Sequence, residues 1–160
     1  MSIRLKLYRV DKDYLEYLST QERKIPLNKG KDSKVRPFVG VVFTINQLDY
    51  IAPLSSQIHN RQTDFKVKIG EEQVATVRMA YMFPVPKNKL VEIDFTEEFN
   101  KDKKYTALLI NEAQYVNQFF EKIHEIAERT YLFNVSKKFN YDKFCCDFLL
   151  LERLANEYSK

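Results

Sequence analysis

Two apolar runs split by a two-residue break, Phe38-Val-Gly-Val-Val-Phe-Thr-Ile45 and Leu48-Asp-Tyr-Ile-Ala-Pro-Leu54, constrain this chain more than any other feature. β-Branched and aromatic residues favour a pleated backbone, and Asn46-Gln47 between the runs is short enough for a hairpin. The second run is expected to stop at Pro53 and to deliver two adjacent hydroxyls, Ser55 and Ser56, into a loop. Lys29, Lys31, Lys34 and Arg36 lie just before the hairpin, and His59 and Arg61 just after it. Hydroxyl donors flanked by cations are suited to holding a phosphodiester. The same pair of hydroxyls can equally serve as turn caps.

The rest of the chain extends that start. Ile3 to Arg9 alternates apolar and polar residues, as a half-buried strand does. Asp11 can cap a short helix carrying Tyr14, Leu15 and Leu18 on one face. Thr63–Ile69 and Gln73–Val85 read as two further strands turning at Gly70, the second ending between Pro84 and Pro86. Short turns between successive strands imply antiparallel pairing, since parallel pairs need crossovers. From Lys104 the apolar period lengthens: Tyr105, Leu108, Leu109, Val116, Phe119, Ile123, Ala127 and Tyr131 trace one stripe, the mark of a single long helix over 104–131. A last helix is expected over 142–158, capped near Asn140. Strands followed by helices give an α+β domain over 1–160, a compact curved antiparallel sheet packed by helices on one side.

Several functions are excluded early. Only three glycines occur, too few for a P-loop or a dinucleotide fold. No apolar run could span a membrane and no signal-peptide core is visible, so a cytoplasmic protein without a membrane partner is expected. Cys145 and Cys146 are adjacent, which makes an unstrained disulfide between them implausible, and their Phe neighbours point to buried, reduced thiols in a helix. Glu121 and His124 stand at helical spacing, but a bridged metal site needs a second such pair, so neither metal nor other cofactor is expected. The net charge of +4 says little by itself, whereas residues 23–36 hold six basic residues against Asp32 alone. That block points to an anionic partner such as nucleic acid. RNA cleavage needs no protein nucleophile, because the 2′-hydroxyl attacks the neighbouring phosphorus; hydroxyls, Lys, Arg and one His can assist without metal.

The run Phe38-x-Gly40 through Tyr50-x-Ala52-Pro53-Leu54-Ser55-Ser56 then becomes recognisable. With Met79-Ala-Tyr-Met-Phe-Pro-Val85, Lys104-Tyr105 and Cys146-x-Phe148-x-Leu150-Leu-Glu152, it resembles the toxins of type III toxin–antitoxin systems, the ToxN/AbiQ family, and looks closest to a CptN-like branch. The resemblance covers nearly the entire chain. It implies a MazF-like sheet and an endoribonuclease that cleaves A-rich RNA without metal, leaving a 2′,3′-cyclic phosphate. It also implies inhibition by a small structured RNA, usually a pseudoknot, which the toxin cuts from a repeat precursor. Closed complexes would follow in which RNA bridges the proteins and no direct protein homo-oligomer is required, serving maintenance or abortive phage defence.

By position, the resemblance assigns Ser55 and Ser56 to the scissile phosphate and Arg36 to the place of a family Lys. No Tyr occurs between Tyr17 and Tyr50 to match a family loop tyrosine, and Gln57-Ile58 replaces a frequent Pro-Lys. Lys34, His59 and Arg61 are the candidates for the missing cation, with His59 counted among the catalytic set. Lys31, Lys34, Arg61, Lys66, Lys87, Lys103 and Lys104 are the candidates for an RNA groove, and messenger RNA is the expected substrate. The alternative reading is a structured-RNA-binding protein without catalysis, using the same groove.

Overall fold

A computed structural model describes residues 5–26, 37–136 and 144–158, so Lys31, Lys34, Arg36 and Asn140 lie outside the described residues. The strands are β1 (Lys6–Val10), β2 (Phe38–Ile45), β3 (Leu48–Ser55), β4 (Asp64–Ile69), β5 (Glu72–Arg78), β6 (Phe83–Pro84) and β7 (Leu90–Glu92). The helices are α1 (Lys12–Ser19), α2 (Phe95–Lys101), α3 (Lys103–Gln118), α4 (Phe120–Val135) and α5 (Phe148–Tyr158). All strand pairs among the described residues are antiparallel, in the order β4-β5-β3-β2-β1-β7, with β6 beside β3. The curved α+β architecture expected from the sequence is the one observed.

The β2–β3 turn puts Asn46 at φ 53° and Gln47 at φ 65°. Both lie in the left-handed region that a tight hairpin needs. Gly40 is required by packing: a Cβ there would come 2.6 Å from Ile51 Cγ2 and 3.4 Å from the Tyr8 ring. Asp11 caps α1, its carboxylate accepting from the Tyr14 N–H at 3.2 Å, and Tyr14, Leu15 and Leu18 are buried as the helical spacing requires.

Strand β3 does not stop at Pro53. It runs through to Ser55 because the sheet changes partner there: Tyr50 and Ile51 pair with β6, whereas Leu54 and Ser55 pair with β5. The expected long strand over Gln73–Val85 is accordingly broken by a 3-10 turn at Met79–Tyr81. The Leu54 N–H bonds the Pro37 carbonyl on the β2 side. Residue 53 therefore turns its nitrogen the other way, toward the interruption, where a missing N–H costs no ladder bond.

Three further expectations are corrected. The stripe from Lys104 to Tyr131 belongs to two helices, divided at Phe119 with φ −115° and ψ 30°. Its ring packs on Tyr115 at 4.8 Å and on Phe65 of β4 at 6.0 Å between centroids, so aromatic packing on the sheet outweighs helical continuity. The last helix starts at Phe148, where the Asp147 carboxylate accepts from the Leu150 N–H; residues 144–147, expected within it, are not helical, and the expected start at 142 lies outside the described residues. Cys145 and Cys146 are buried and free, but they precede that helix, with the Cys146 N–H bonded to the Ala80 carbonyl.

A polar knot ties sheet to helices. The Tyr50 hydroxyl donates to Glu152 Oε2 of α5 at 2.6 Å, and the Tyr131 ring of α4 packs edge-on against Tyr50 at 5.8 Å. Burial, reinforced by that carboxylate, pushes the Tyr50 hydroxyl upward, so it remains a donor. Tyr131 and Phe148 stack at 5.8 Å beside it.

Two outcomes test this packing. Gly40→Ala is expected to lower stability by about 1–3 kcal/mol, measured by chemical denaturation, because backbone faces Ile51 too closely to admit a methyl group. Glu112, buried in α3, has its carboxyl pushed up to about 7 by desolvation. A raised folded pKa favours the folded state at low pH, and that advantage fades as pH rises from the ordinary carboxyl value toward 7. Glu112→Gln should therefore flatten the stability profile and gain up to about 3 kcal/mol above pH 7, with little change below pH 4.

Candidate nucleic-acid cleavage site

The alternation of β3, β4 and β5 sorts side chains onto two faces. Leu54, Val77 and Phe65 form one row across the three strands and are buried in the core. The adjacent row, Ser55, Thr76 and Lys66, stands on the other face. One step further along that face Arg78 lies opposite Asp64. The register thus aligns a serine, a threonine and an edge lysine beside an arginine–carboxylate pair.

Ser55 is nearly buried, at 6% exposure, and its Oγ accepts from the Gln57 N–H at 3.1 Å. It shapes the turn after β3 while Ser56, the next residue, is exposed. Thr76 is fully buried and holds the loop from beneath. Its Oγ1 donates to the Gln57 carbonyl at 2.9 Å and accepts from the His59 N–H at 3.2 Å and the Gln73 Nε2 at 3.1 Å. A hydroxyl has one donor and two acceptor positions, and all three are used. Gln73 Nε2 also donates to the His59 carbonyl at 3.2 Å, so β5 grips both peptide groups of His59.

The loop is closed at its far end by Asp64. One carboxylate oxygen accepts from the Arg61 N–H at 3.0 Å, and the other meets Arg78 Nε at 3.3 Å. Arg78 lies over the Tyr81 ring at 4.7 Å and places Nη1 3.3 Å from His59 Nε2. The Arg61 guanidinium lies over Phe144 at 5.2 Å. Ser55, Ser56, His59, Arg61 and Lys66 are therefore gathered on one loop and one sheet face. Arg129 of α4 donates to the Gln62 carbonyl at 3.1 Å and braces the same loop.

The other candidates stand apart. Lys87 belongs to the 3-10 turn after β6, beyond Val85, whose N–H bonds the Asp49 carbonyl near the start of β3. Lys103 and Lys104 open α3, and Lys103 lies over Phe99 at 5.9 Å. Tyr115 of the same helix, about 18 Å further along its axis, is the residue that packs on Phe65 of β4. His124 is tied to the Val42 carbonyl and to Glu128, sharing no partner with His59. Arg36, Lys31 and Lys34 precede the described residues resuming at Pro37, whose carbonyl is bonded to Leu54 beside Ser55.

Sequence reading missed Gln73, Thr76 and Arg78. They look like ordinary alternating residues of a strand, and only the β3–β5 register reveals that they meet the Ser loop. Thr76→Val keeps the shape but strands the His59 N–H and the Gln57 carbonyl. It should lower stability by about 1–3 kcal/mol and speed amide exchange across Gln57–Asn60, whereas unchanged exchange there would show that the hydroxyl does not hold the loop.

Comparison with known proteins agrees with this architecture. The family model "Toxin ToxN, type III toxin-antitoxin system" matches residues 6–156. The chain is 29% identical to Endoribonuclease ToxN of Bacillus thuringiensis subsp. kurstaki, covering 97% of this chain and 84% of that protein. It is also 29% identical to Endoribonuclease AbiQ of Lactococcus lactis subsp. lactis, covering 98% and 90%. A solved structure concerned with selective toxin inhibition by a non-coding RNA pseudoknot superposes with a TM-score of 0.90 at 28% identity, over 98% of this chain and 99% of that one. The chain belongs to the ToxN family of type III toxin–antitoxin toxins.

Proposed function

We propose that this chain is an endoribonuclease toxin that cleaves messenger RNA at A-rich sites, without metal, at the Ser55/Ser56 loop. The observation that carries the reading is the Ser55–Thr76–Lys66 row with its pinned loop, in a chain whose relatives are named endoribonucleases. In the reaction the substrate's 2′ oxygen forms a bond to phosphorus as the bond to the 5′ oxygen breaks. The 2′ proton passes to a base and the departing 5′ oxygen takes one up, leaving a 2′,3′-cyclic phosphate.

The protein's part is positioning and charge stabilisation. The exposed Ser56 hydroxyl donates to a non-bridging oxygen, while Ser55 holds the turn itself. Lys66 offers a cation from the sheet edge, and Arg36, one residue before Pro37, adds a second. His59 completes the catalytic set. Lys31, Lys34 and Arg61 steer the RNA backbone, with Lys87, Lys103 and Lys104 contacting longer RNA outside the centre. A structured RNA, a pseudoknot cut by the toxin from a repeat precursor, occupies the same basic surface as inhibitor. The RNA bridges proteins in a closed assembly in the bacterial cytoplasm, where the toxin serves abortive phage defence. Among the described residues no helix is long and apolar enough to cross a membrane.

The test is incubation of the purified chain with A-rich RNA in EDTA, with product ends mapped and Ser56→Ala as control. Cleavage leaving cyclic phosphates is expected, with the variant slower by roughly 100-fold or more but still folded and able to bind the antitoxin RNA. Full activity of Ser56→Ala would remove that hydroxyl from the mechanism. Intact RNA with tight binding would make the chain a non-catalytic RNA-binding protein.

A further inference from the structure

The His59 ring has a defined polarity. Its Nε2 lies 3.3 Å from Nη1 of Arg78, and a guanidinium has only donors to offer. The shared hydrogen therefore belongs to Arg78, Nε2 accepts it, and the neutral ring carries its own hydrogen on Nδ1. Nothing about Arg78 is loose: Asp64, whose side chain is fully buried, pairs with Nε at 3.3 Å, and the Tyr81 ring lies beneath the guanidinium at 4.7 Å. The carboxylate is itself fixed by the Arg61 N–H, and the backbone of His59 is gripped on both sides by Thr76 and Gln73. Among the described residues no hydrogen bond is made by His59 Nδ1.

We propose that Arg78 is a positioning residue that holds His59 as the Nδ1–H tautomer, so that the imidazole serves the reaction as a hydrogen-bond donor to the scissile phosphate. This rests on the endoribonuclease reading of the Ser loop and assigns a role there that the sequence leaves open. It takes His59 out of the part of general base through Nε2, whose lone pair is already engaged by Arg78. It makes Asp64–Arg78–His59 a chain in which a buried carboxylate orients a cation and the cation orients an imidazole. The logic is that of an outer partner fixing which ring nitrogen faces the chemistry. A free neutral imidazole prefers its hydrogen on Nε2, so the arrangement has a signature that a merely structural arginine would not produce.

The experiment is nitrogen NMR of the intact protein labelled in its histidine side chains, at mildly alkaline pH. The His59 signals are assigned by their loss in His59→Ala. The expected wild-type spectrum shows Nδ1 protonated and Nε2 bare. Arg78→Lys keeps a cation for Asp64 but lacks the planar fork that spans carboxylate and imidazole. In that variant the ring should revert to the Nε2–H tautomer. Its kcat on RNA should fall roughly 10- to 100-fold with KM unchanged, and the substitution should add nothing in a His59→Ala background. A protonated Nε2 in the wild type would overturn the proposal, as would an equal kcat loss in the His59→Ala background. Should Arg78→Lys fail to fold, the wild-type spectrum still decides. Because the tautomer is read without substrate, a protein that leaves all RNA intact would refute the nuclease reading separately from the Arg78–His59 arrangement.

Discussion

Strand β3 divides its outer edge between two partners, and the site depends on where that division falls. Tyr50 and Ile51 are paired with β6, Leu54 and Ser55 with β5, and the three residues Met79–Tyr81 loop out between. Pro53 sits at the change-over, where the absent N–H leaves no ladder partner unsatisfied. Leu54 and Ser55 are thereby returned to regular pairing at the tip of the strand. Ser55 acquires Thr76 and Lys66 as row neighbours, and Ser56 becomes the first residue free of the sheet.

From that register the rest of the site follows by alternation. One face of the β4–β5–β3 ribbon is apolar and feeds the core through Leu54, Val77 and Phe65. The other carries hydroxyls, an amide, cations and one carboxylate. Arg78 emerges at the last position of β5, immediately before the interruption, with Tyr81 of the 3-10 turn ready to stack on it. The same break that frees the Pro53 position thus supplies the ring that seats the arginine. The Tyr50–Glu152 hydrogen bond and the packing of Tyr50 on Tyr131 tie the other stretch of β3 to α5 and α4. A buried hydrogen bond to a charged group contributes about 1.5–3 kcal/mol, enough to matter in a domain of ordinary marginal stability.

Much of this was legible in the sequence, and what was not has a physical reason. Asn46-Gln47 announced the hairpin because few residues tolerate the backbone of a tight turn, and Asp11 announced α1 because capping is local chemistry. Ser55, Ser56, His59 and Arg61 were visible as a polar cluster of contiguous residues. Thr76, Gln73 and Arg78 were not, since their meaning depends on a pairing some 20 residues away that no local pattern encodes. Pro53 was misread as a strand stop because its cost depends on whether a neighbour waits for its N–H. The division of α3 from α4 at Phe119 escaped notice because the apolar stripe continues unbroken through it, while the cause lies in Phe65 on another element. The start of α5 was placed too early by reading Asn140 as the cap that Asp147 supplies. The family resemblance, by contrast, was carried by residues that the core and the Ser loop both need, and the family match confirms it.

The proposed mechanism seats the scissile phosphate of an RNA on the Ser55/Ser56 turn. A crystal structure of the protein with an A-rich RNA carrying a single 2′-deoxy substitution at the cleaved position tests this most directly. The phosphate following that sugar is expected within about 3 Å of the Ser56 hydroxyl, with His59 beside it. A scissile phosphate seated instead on another surface, such as the lysines that open α3, would contradict it.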